Sequence, residues 1–274
     1  MFQRTALGAL LVSALFAVGC ATVLGLDEDR ELRAGAGAGS GGDGGGDGGA
    51  GGAPAAYDAL VIADAPLAYF RFEEASGPFV DSMDPARSMT VTGTVERGVP
   101  AAVGVGVRFD GGAGRLLLGA SDFGFVGTVA MTVEAWALTT APADFQDIVG
   151  KLELDAPNDT GYALRFRPGS RYGWFFSRTN PTGSRNMSFY SAPEVLTHLV
   201  ITFDGTASVL YVNGAEQDRQ DDASDIALPQ TPAPFRAGGL ETGNAFTGVL
   251  DELAIYDRAL PADRVAAHFQ ARQP

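Results

Sequence analysis

Short runs of alternating or β-branched and aromatic residues, separated by glycine, proline and Asp-Gly pairs, recur about every ten residues between Tyr57 and Pro274. Examples are "LAYFRFE" at 67–73, "MTVTGTV" at 89–95, "VRFDG" at 107–111, "RLLLG" at 115–119, "VAMTVEAWAL" at 129–138 and "YALRFR" at 162–167. "YGWFFS" at 172–177, "HLVITFDG" at 198–205, "SVLYVNG" at 208–214 and "GVLDELAIYD" at 248–257 follow. No helical period competes with them before the C-terminal segment. Side chains alternate across a strand, so such runs fold only by burying a face of one sheet against another. The pattern predicts one large all-β domain over residues 57–274, an antiparallel two-sheet sandwich.

Within "THLVITFDGTASVLYVNG", Leu199, Ile201 and Phe203 fall on one face and Val200 and Thr202 on the other. Asp204-Gly205 turns the chain, Val209, Tyr211 and Asn213 alternate with Leu210 and Val212 on the return, and Asn213-Gly214 begins the next reversal. These acidic and amide residues read as turn chemistry, not as a reaction centre. At the end of the chain, "YDRALPADRVAAHFQAR" predicts a short helix, with Pro261 in its first turn, Asp263 complementing its dipole, and Ala262, Val265, Ala266 and Phe269 on one face.

The N-terminus has a different logic. Arg4 precedes the uncharged apolar run "ALGALLVSALFAVG", and Cys20 follows Gly19. Residues 1–19 read as a signal peptide and Cys20 as a lipidation site, because a lone cysteine here resembles the lipobox of bacterial lipoproteins, although Ala17 stands where that motif usually has leucine. Ala21 after the cysteine favours the outer membrane. The alternative is an uncleaved anchor, since Ala6 to Leu26 is uncharged over about a bilayer's thickness. Both readings place Asp27 onward outside the cytoplasm, and the lipid-anchored one places it at the bacterial outer membrane or cell surface. Residues 21–56 read as an acidic and then glycine-rich disordered linker, whose "GAGAGSGGDGGGDGGAGGAPAA" spans roughly 25 Å as a flexible coil.

Composition removes several classes of function. The chain carries a net charge of −14 and its arginines are scattered singly, so nucleic acid is not an expected partner. A single cysteine and two histidines, His198 and His268, exclude a disulfide framework and a zinc cluster.

The blocks "AYFRFEEASGPFVDS", "GVRFDGGAGRLLLG", "MTVEAWAL", "IVGK", "YALRF", "LTHLVITFDGTASVLYVNGAEQ" and "GVLDELAIYDRALPADRV" resemble, in order, a laminin-G-like jelly-roll domain of the concanavalin A-like lectin/glucanase superfamily. That resemblance implies two curved antiparallel sheets and a structural calcium near the meeting of the chain ends. By position its ligands would be Glu73, Asp81 and Asp251, with backbone carbonyls and waters completing the oxygen shell. The other reading of these residues is solvated carboxylates at strand ends, or pairing of Asp251 and Glu252 with Arg258. No organic cofactor is expected. The glucanase branch uses Glu-x-Asp-x-x-Glu along one strand, which is absent here, and neither histidine anchors the set a lyase needs. The expectation is a non-catalytic, surface-tethered binding module for glycan or for an extracellular or envelope protein, or a structural envelope lipoprotein without a small ligand. Tyr172 and Trp174 are candidate sugar-stacking residues with Arg165 beside them, and core packing is the competing role for both aromatics.

Overall fold

A computed structural model describes residues 56–272 apart from 120, 141–144, 154–159, 170, 180–181, 191–193, 222–227, 229 and 240–243. Within 171–190 it describes side chains at 172, 173, 188 and 189. The expectations for export, for lipidation at Cys20 and for the linker up to residue 55 lie outside the described residues.

In chain order the elements are α1 (Tyr57–Ala63), β1 (Ala68–Phe70), β2 (Phe79–Val80), β3 (Ser88–Thr92), β4 (Glu96–Pro100), β5 (Val105–Asp110), β6 (Arg115–Leu117), β7 (Met131–Thr139) and β8 (Gln146–Glu153). Then come β9 (Thr160–Arg167), β10 (Arg171–Thr179), β11 (Thr182–Tyr190), β12 (Thr197–Phe203), β13 (Ala207–Val212), β14 (Ala215–Asp221), β15 (Arg236–Ala237), β16 (Thr247–Tyr256) and α2 (Ala262–Ala271). The first sheet runs β14-β13-β12-β7-β16-β5-β4, with β1 also paired to β16. The second runs β11-β10-β9-β8-β15-β6-β3-β2. The predicted all-β sandwich of two antiparallel sheets is the observed architecture.

The sandwich core takes Phe109, Val133, Leu199, Ile201, Leu210 and Ile255 from the first sheet and Leu116, Ile148, Tyr162, Leu164 and Phe166 from the second. Each such side chain contributes roughly 1.5–3 kcal/mol by leaving water. A second apolar cluster lies on the other face of the first sheet, where Tyr57 and Val61 of α1 and Val265 and Ala271 of α2 cover Trp136, Val200, Val209, Tyr211 and Tyr256. That cover explains why β12 and β13 are buried at every position although their residues alternate between two clusters.

The turns carry the expected chemistry. Asp204 Oδ1 accepts from the amides of Thr206 and Ala207, both at 2.7 Å. Asn213 and Gly214 sit at φ 50° and 77° between β13 and β14, as a two-residue hairpin turn requires. Gly214 has a second duty, because a Cβ there would lie 2.9 Å from Cβ of Phe269 on α2.

Two helical expectations need correction. α1 was not anticipated, since seven residues are too few to show a helical period and such a helix depends on tertiary contacts, here through buried Tyr57 and Val61. On α2 the buried face is Val265, His268 and Ala271, whereas Ala262 is exposed and Pro261 is the N-cap instead of the first turn. Of the expected face of Ala262, Val265, Ala266 and Phe269, Val265 and Phe269 pack into the second cluster, and the helix also turns His268 into the sheet.

Candidate functional site

The outer face of the second sheet follows from register. Leu164 and Phe166 of β9 face the core, so Ala163, Arg165 and Arg167 face outward. Asp147 of β8 pairs with Arg165, and Gly150 with Ala163. On the far side of β9, Gly173 of β10 pairs with Arg165. Arg236 of β15 continues the row at Gly150. Buried Gly150, Ala163 and Gly173 lie between these polar side chains, so the residues here are small. At Gly150 that is obligatory, because a Cβ would overlap the carbonyl of Tyr162.

Asp147 and Arg165 are only 2% and 7% exposed. Arg165 Nε donates to Asp147 Oδ1 at 2.9 Å, and Asn244 Nδ2 donates to Oδ2 at 3.1 Å. The pair is thus held rigid from both sides. Phe145, just before β8, is 42% exposed, and the Arg167 guanidinium lies over its ring, 5.5 Å from the centroid. Phe145 is the exposed aromatic here, with Arg167 over it and the buried Asp147-Arg165-Asn244 group behind it, and it offers a ligand an apolar surface beside a guanidinium.

Of the expected ligand residues, Arg165 belongs to this face and Tyr172 does not. Tyr172 is fully buried, packs edge-on against Phe166 at 5.0 Å, and donates its hydroxyl to the carbonyl of Ala137 at 3.3 Å. It is a core residue, because β10 pairs in a register that sets it opposite core-facing Phe166. Position 174 pairs with Leu164, and the Trp174 side chain lies outside the described residues.

The expected metal ligands separate into a pair and an outlier. Asp251 Oδ2 accepts from the amides of Ala102 and Val103, each at 3.0 Å, and Glu73 Oε1 accepts from Val105 at 3.3 Å, so both carboxylates meet on one loop. Burial, with the Glu73 charge adding to it, pushes Asp251 up to about 8 against the amides that favour its charged form. Asp251 Oδ1 is buried with no hydrogen-bond partner among the described residues. An orphaned carboxylate oxygen beside a second carboxylate fits a hard cation. Asp81 is engaged elsewhere: Oδ1 accepts from Tyr69 and Met83, both at 2.8 Å, and Oδ2 from Arg87 at 2.9 Å. Among the described residues no group of three or more His, Cys, Asp or Glu side chains is placed to hold a metal ion, so Asp81 does not complete the expected set.

Both histidines converge on one carboxylate, which separation in sequence had hidden. Glu134 accepts from Tyr57 Oη at 2.9 Å and Tyr256 Oη at 3.2 Å, and its oxygens lie 2.8 Å from His198 Nε2 and 3.0 Å from His268 Nδ1. The other side of the His268 ring faces Asp64 at 2.9 Å, and Arg264 closes on Asp64 at 2.8 Å. Burial alone would raise Glu134, but hydrogen bonds from His198 and His268 outweigh it and hold the carboxyl well below the usual range. Burial opposes the charge on His268, and Glu134 overrides it, leaving the histidine raised. Glu134, His198 and His268 are all 0% exposed, so the cluster joins α1, α2, β7, β12 and β16 and presents nothing to a substrate.

A polar depression of about 360 Å³ lined by Asp84, Arg87, Ser88, Leu118 and Asp122 opens elsewhere. Its Arg87 already bridges Asp81, Asp84 and Asp122 at 2.9, 3.9 and 3.7 Å.

A family model described as Laminin_G_3, of the concanavalin A-like lectin/glucanases superfamily, matches residues 110–266, more than half of the chain. The chain belongs to this family. No curated protein matches this laminin-G-like chain. Among solved structures, domain 4 of AbnA, a GH43 extracellular arabinanase from Geobacillus stearothermophilus, in complex with arabinotriose, is similar at 19% identity over 76% of this chain and 98% of that one, with a TM-score of 0.59. The binding domain of botulinum neurotoxin serotype G is similar at 13% identity over 75% of this chain and 50% of that one, TM-score 0.60. The serotype D ligand binding domain in complex with N-acetylneuraminic acid matches at 12% identity, over 78% and 53%, TM-score 0.61. The laminin-G-like chain spans about half the length of the neurotoxin domains it matches. At these identities the likeness is one of fold, and it is shared with carbohydrate- and receptor-binding domains.

Proposed function

We propose that this chain is a non-catalytic binding module that recognises a glycan on the outer face of its second sheet and is held outside the cytoplasm by lipid on Cys20. The observation that carries the reading is the exposed Phe145 ring under Arg167, beside the rigid Asp147-Arg165-Asn244 group. Solved relatives in fold carry arabinotriose and N-acetylneuraminic acid, which supports a sugar as the class of ligand. Protein recognition is a second reading, favoured by the similarity to a receptor binding domain of botulinum neurotoxin D.

Calcium, if bound, would be held by Glu73 and Asp251 with backbone and water oxygens. Its charge would offset the burial of Asp251 and fix the loop at 101–105 against β16. The test is a glycan array probed with the full chain in calcium and again in chelator. Binding in either condition supports a glycan module, and a blank array in both overturns it in favour of protein recognition.

A further inference from the structure

α1 and α2 are short helices that share one buried polar site on the first sheet. α1 has seven residues and α2 ten, and no side chain caps either at its N-terminus. Helices of this length do not hold in water alone, so both depend on what they dock against. Part of that docking is apolar, through Tyr57, Val61, Val265 and Ala271. The rest runs through charge and centres on His268.

The His268 ring lies between carboxylates from two different elements. Nδ1 is 3.1 and 3.0 Å from the two oxygens of Glu134 on β7, and Nε2 is 2.9 Å from Oδ2 of Asp64, which follows α1. The Nε2 contact is bent away from hydrogen-bond alignment and acts as charge attraction. A neutral imidazole has one N–H and one lone pair, and either placing of the proton would press the lone pair against a carboxylate. His268 and Glu134 are fully buried, so water does not relieve that repulsion. The arrangement therefore requires a proton on both nitrogens. His198 on β12 differs. It meets Glu134 through Nε2 at 2.8 Å, and its Nδ1 has no hydrogen-bond partner among the described residues, so one N–H serves that ring.

The other groups around His268 do not replace its proton. Tyr57 of α1 and Tyr256 of β16 donate neutral hydroxyls to Glu134. Arg264 of α2 is bound to Asp64 at 2.8 Å, and Arg272 lies over the Trp136 ring, 4.9 Å from its centroid. Asp58 of α1 pairs with Arg71 at 3.2 Å, and Arg71 with Glu252 of β16 at 3.5 Å. With His268 charged, the anions Glu134 and Asp64 are matched by His268 and Arg264. Without it, one anion of the site is left over. Burial opposes the charge on His268, but Glu134 and then Asp64 override it and leave the histidine raised.

We infer that α1 and α2 form a proton-operated clasp: an imidazolium at His268 holds both helices on the first sheet, and loss of that proton frees them while the sandwich stays folded. The helices belong to a cluster separate from the sandwich core, so they can lift without opening it. Release uncovers Trp136, Val200, Tyr211 and Tyr256. His268 is raised from 6.5, so its hold is complete below pH 6.5 and weakens as pH rises through the folded value.

The test is hydrogen exchange on the full-length chain in non-ionic detergent, corrected for the intrinsic rate at each pH, with nitrogen NMR of the histidine rings. Opening of α1 and α2 amides should increase about three- to tenfold between about pH 5.5 and about pH 7.5, while β9 in the second sheet stays unchanged. At about pH 7, where a free histidine is mostly neutral, both nitrogens of His268 should carry protons. These wild-type measurements need no variant to fold. His268→Gln should abolish the dependence of helix opening on pH. Asp64→Asn, at a partly exposed position, should reduce it and keep the fold. Burial, with Asp58 adding to it, pushes Glu252 up to about 9, so it titrates above this window and equally in the three proteins. Flat opening in the wild type, an equal rise in β9, a rise retained in His268→Gln, or a neutral His268 ring at pH 7 overturns the clasp.

Discussion

Replacing Glu134 with glutamine keeps the shape of the buried hub and removes its charge. The carboxylate accepts from two tyrosine hydroxyls and contacts both histidine rings at 3.2 Å or less. Removing one partner of a buried ionic group costs about 3–5 kcal/mol, since the remaining charge is left uncompensated. For a domain of this size about 1 kcal/mol moves Tm by roughly 2–4 °C, so Glu134→Gln should melt about 6–20 °C below the wild type. The pH dependence gives a sharper check. The Glu134 carboxyl is lowered from 4.5 on folding, so its contribution is present above pH 4.5 and is lost as pH falls through the folded value. His268 is raised from 6.5, so its contribution is complete below pH 6.5 and is lost as pH rises through the folded value. The gap between wild type and variant should therefore be widest between about pH 4.5 and 6.5 and narrow on both sides. Asp251 and Glu252, raised by burial to about 8 and about 9, make both proteins less stable towards alkaline pH, and they cancel in the difference. Thermal melts of both proteins from about pH 4 to 9 decide the matter. A gap under about 2 °C, or one that does not change with pH, would refute the charged-hub account.

Tyr57→Phe removes one donor to Glu134 at 2.9 Å and should cost about 1.5–3 kcal/mol, with limited proteolysis showing earlier cleavage near α1 if the hub anchors that helix. Gly214→Ala, at φ 77° and against Phe269, should destabilise by about 1–3 kcal/mol in denaturant titration. Gly77→Ala should cost less, since its φ is also positive at 78° but the space around it is open. Calcium should raise the Tm of the wild type and not that of Asp251→Asn, and an equal rise in both would remove Asp251 from the proposed site. Cys20→Ser should release the protein from membranes, whereas continued pelleting would favour an uncleaved anchor.

Fold class was legible because strand alternation and turn residues are local signals. Asp204, Asn213 and Gly214 declared the hairpins, and the apolar run of β12 declared a strand before any partner was known. The sites were less legible, because they depend on which strands become neighbours. Nothing near Glu134 in sequence points to His198 or His268, and only the order β12-β7-β16 with α2 laid across it brings them together. The same holds for Asp147 and Arg165, which meet through the β8–β9 register. Tyr172 misled for a related reason. "YGWFFS" shows that alternate aromatics share a face, and it does not show which face looks inward. The exposed Phe145 lacked a signal altogether, since a single phenylalanine ahead of a strand is indistinguishable from a core residue.

The central claim, a glycan site centred on Phe145, is tested most directly by the dissociation constant of the best array ligand for wild type and for Phe145→Ala. The account predicts a loss of about tenfold or more in the variant at an unchanged melting temperature, because Phe145 is 42% exposed and lies outside the core. Equal affinity in the two proteins, or a wild type that binds no sugar, would contradict it.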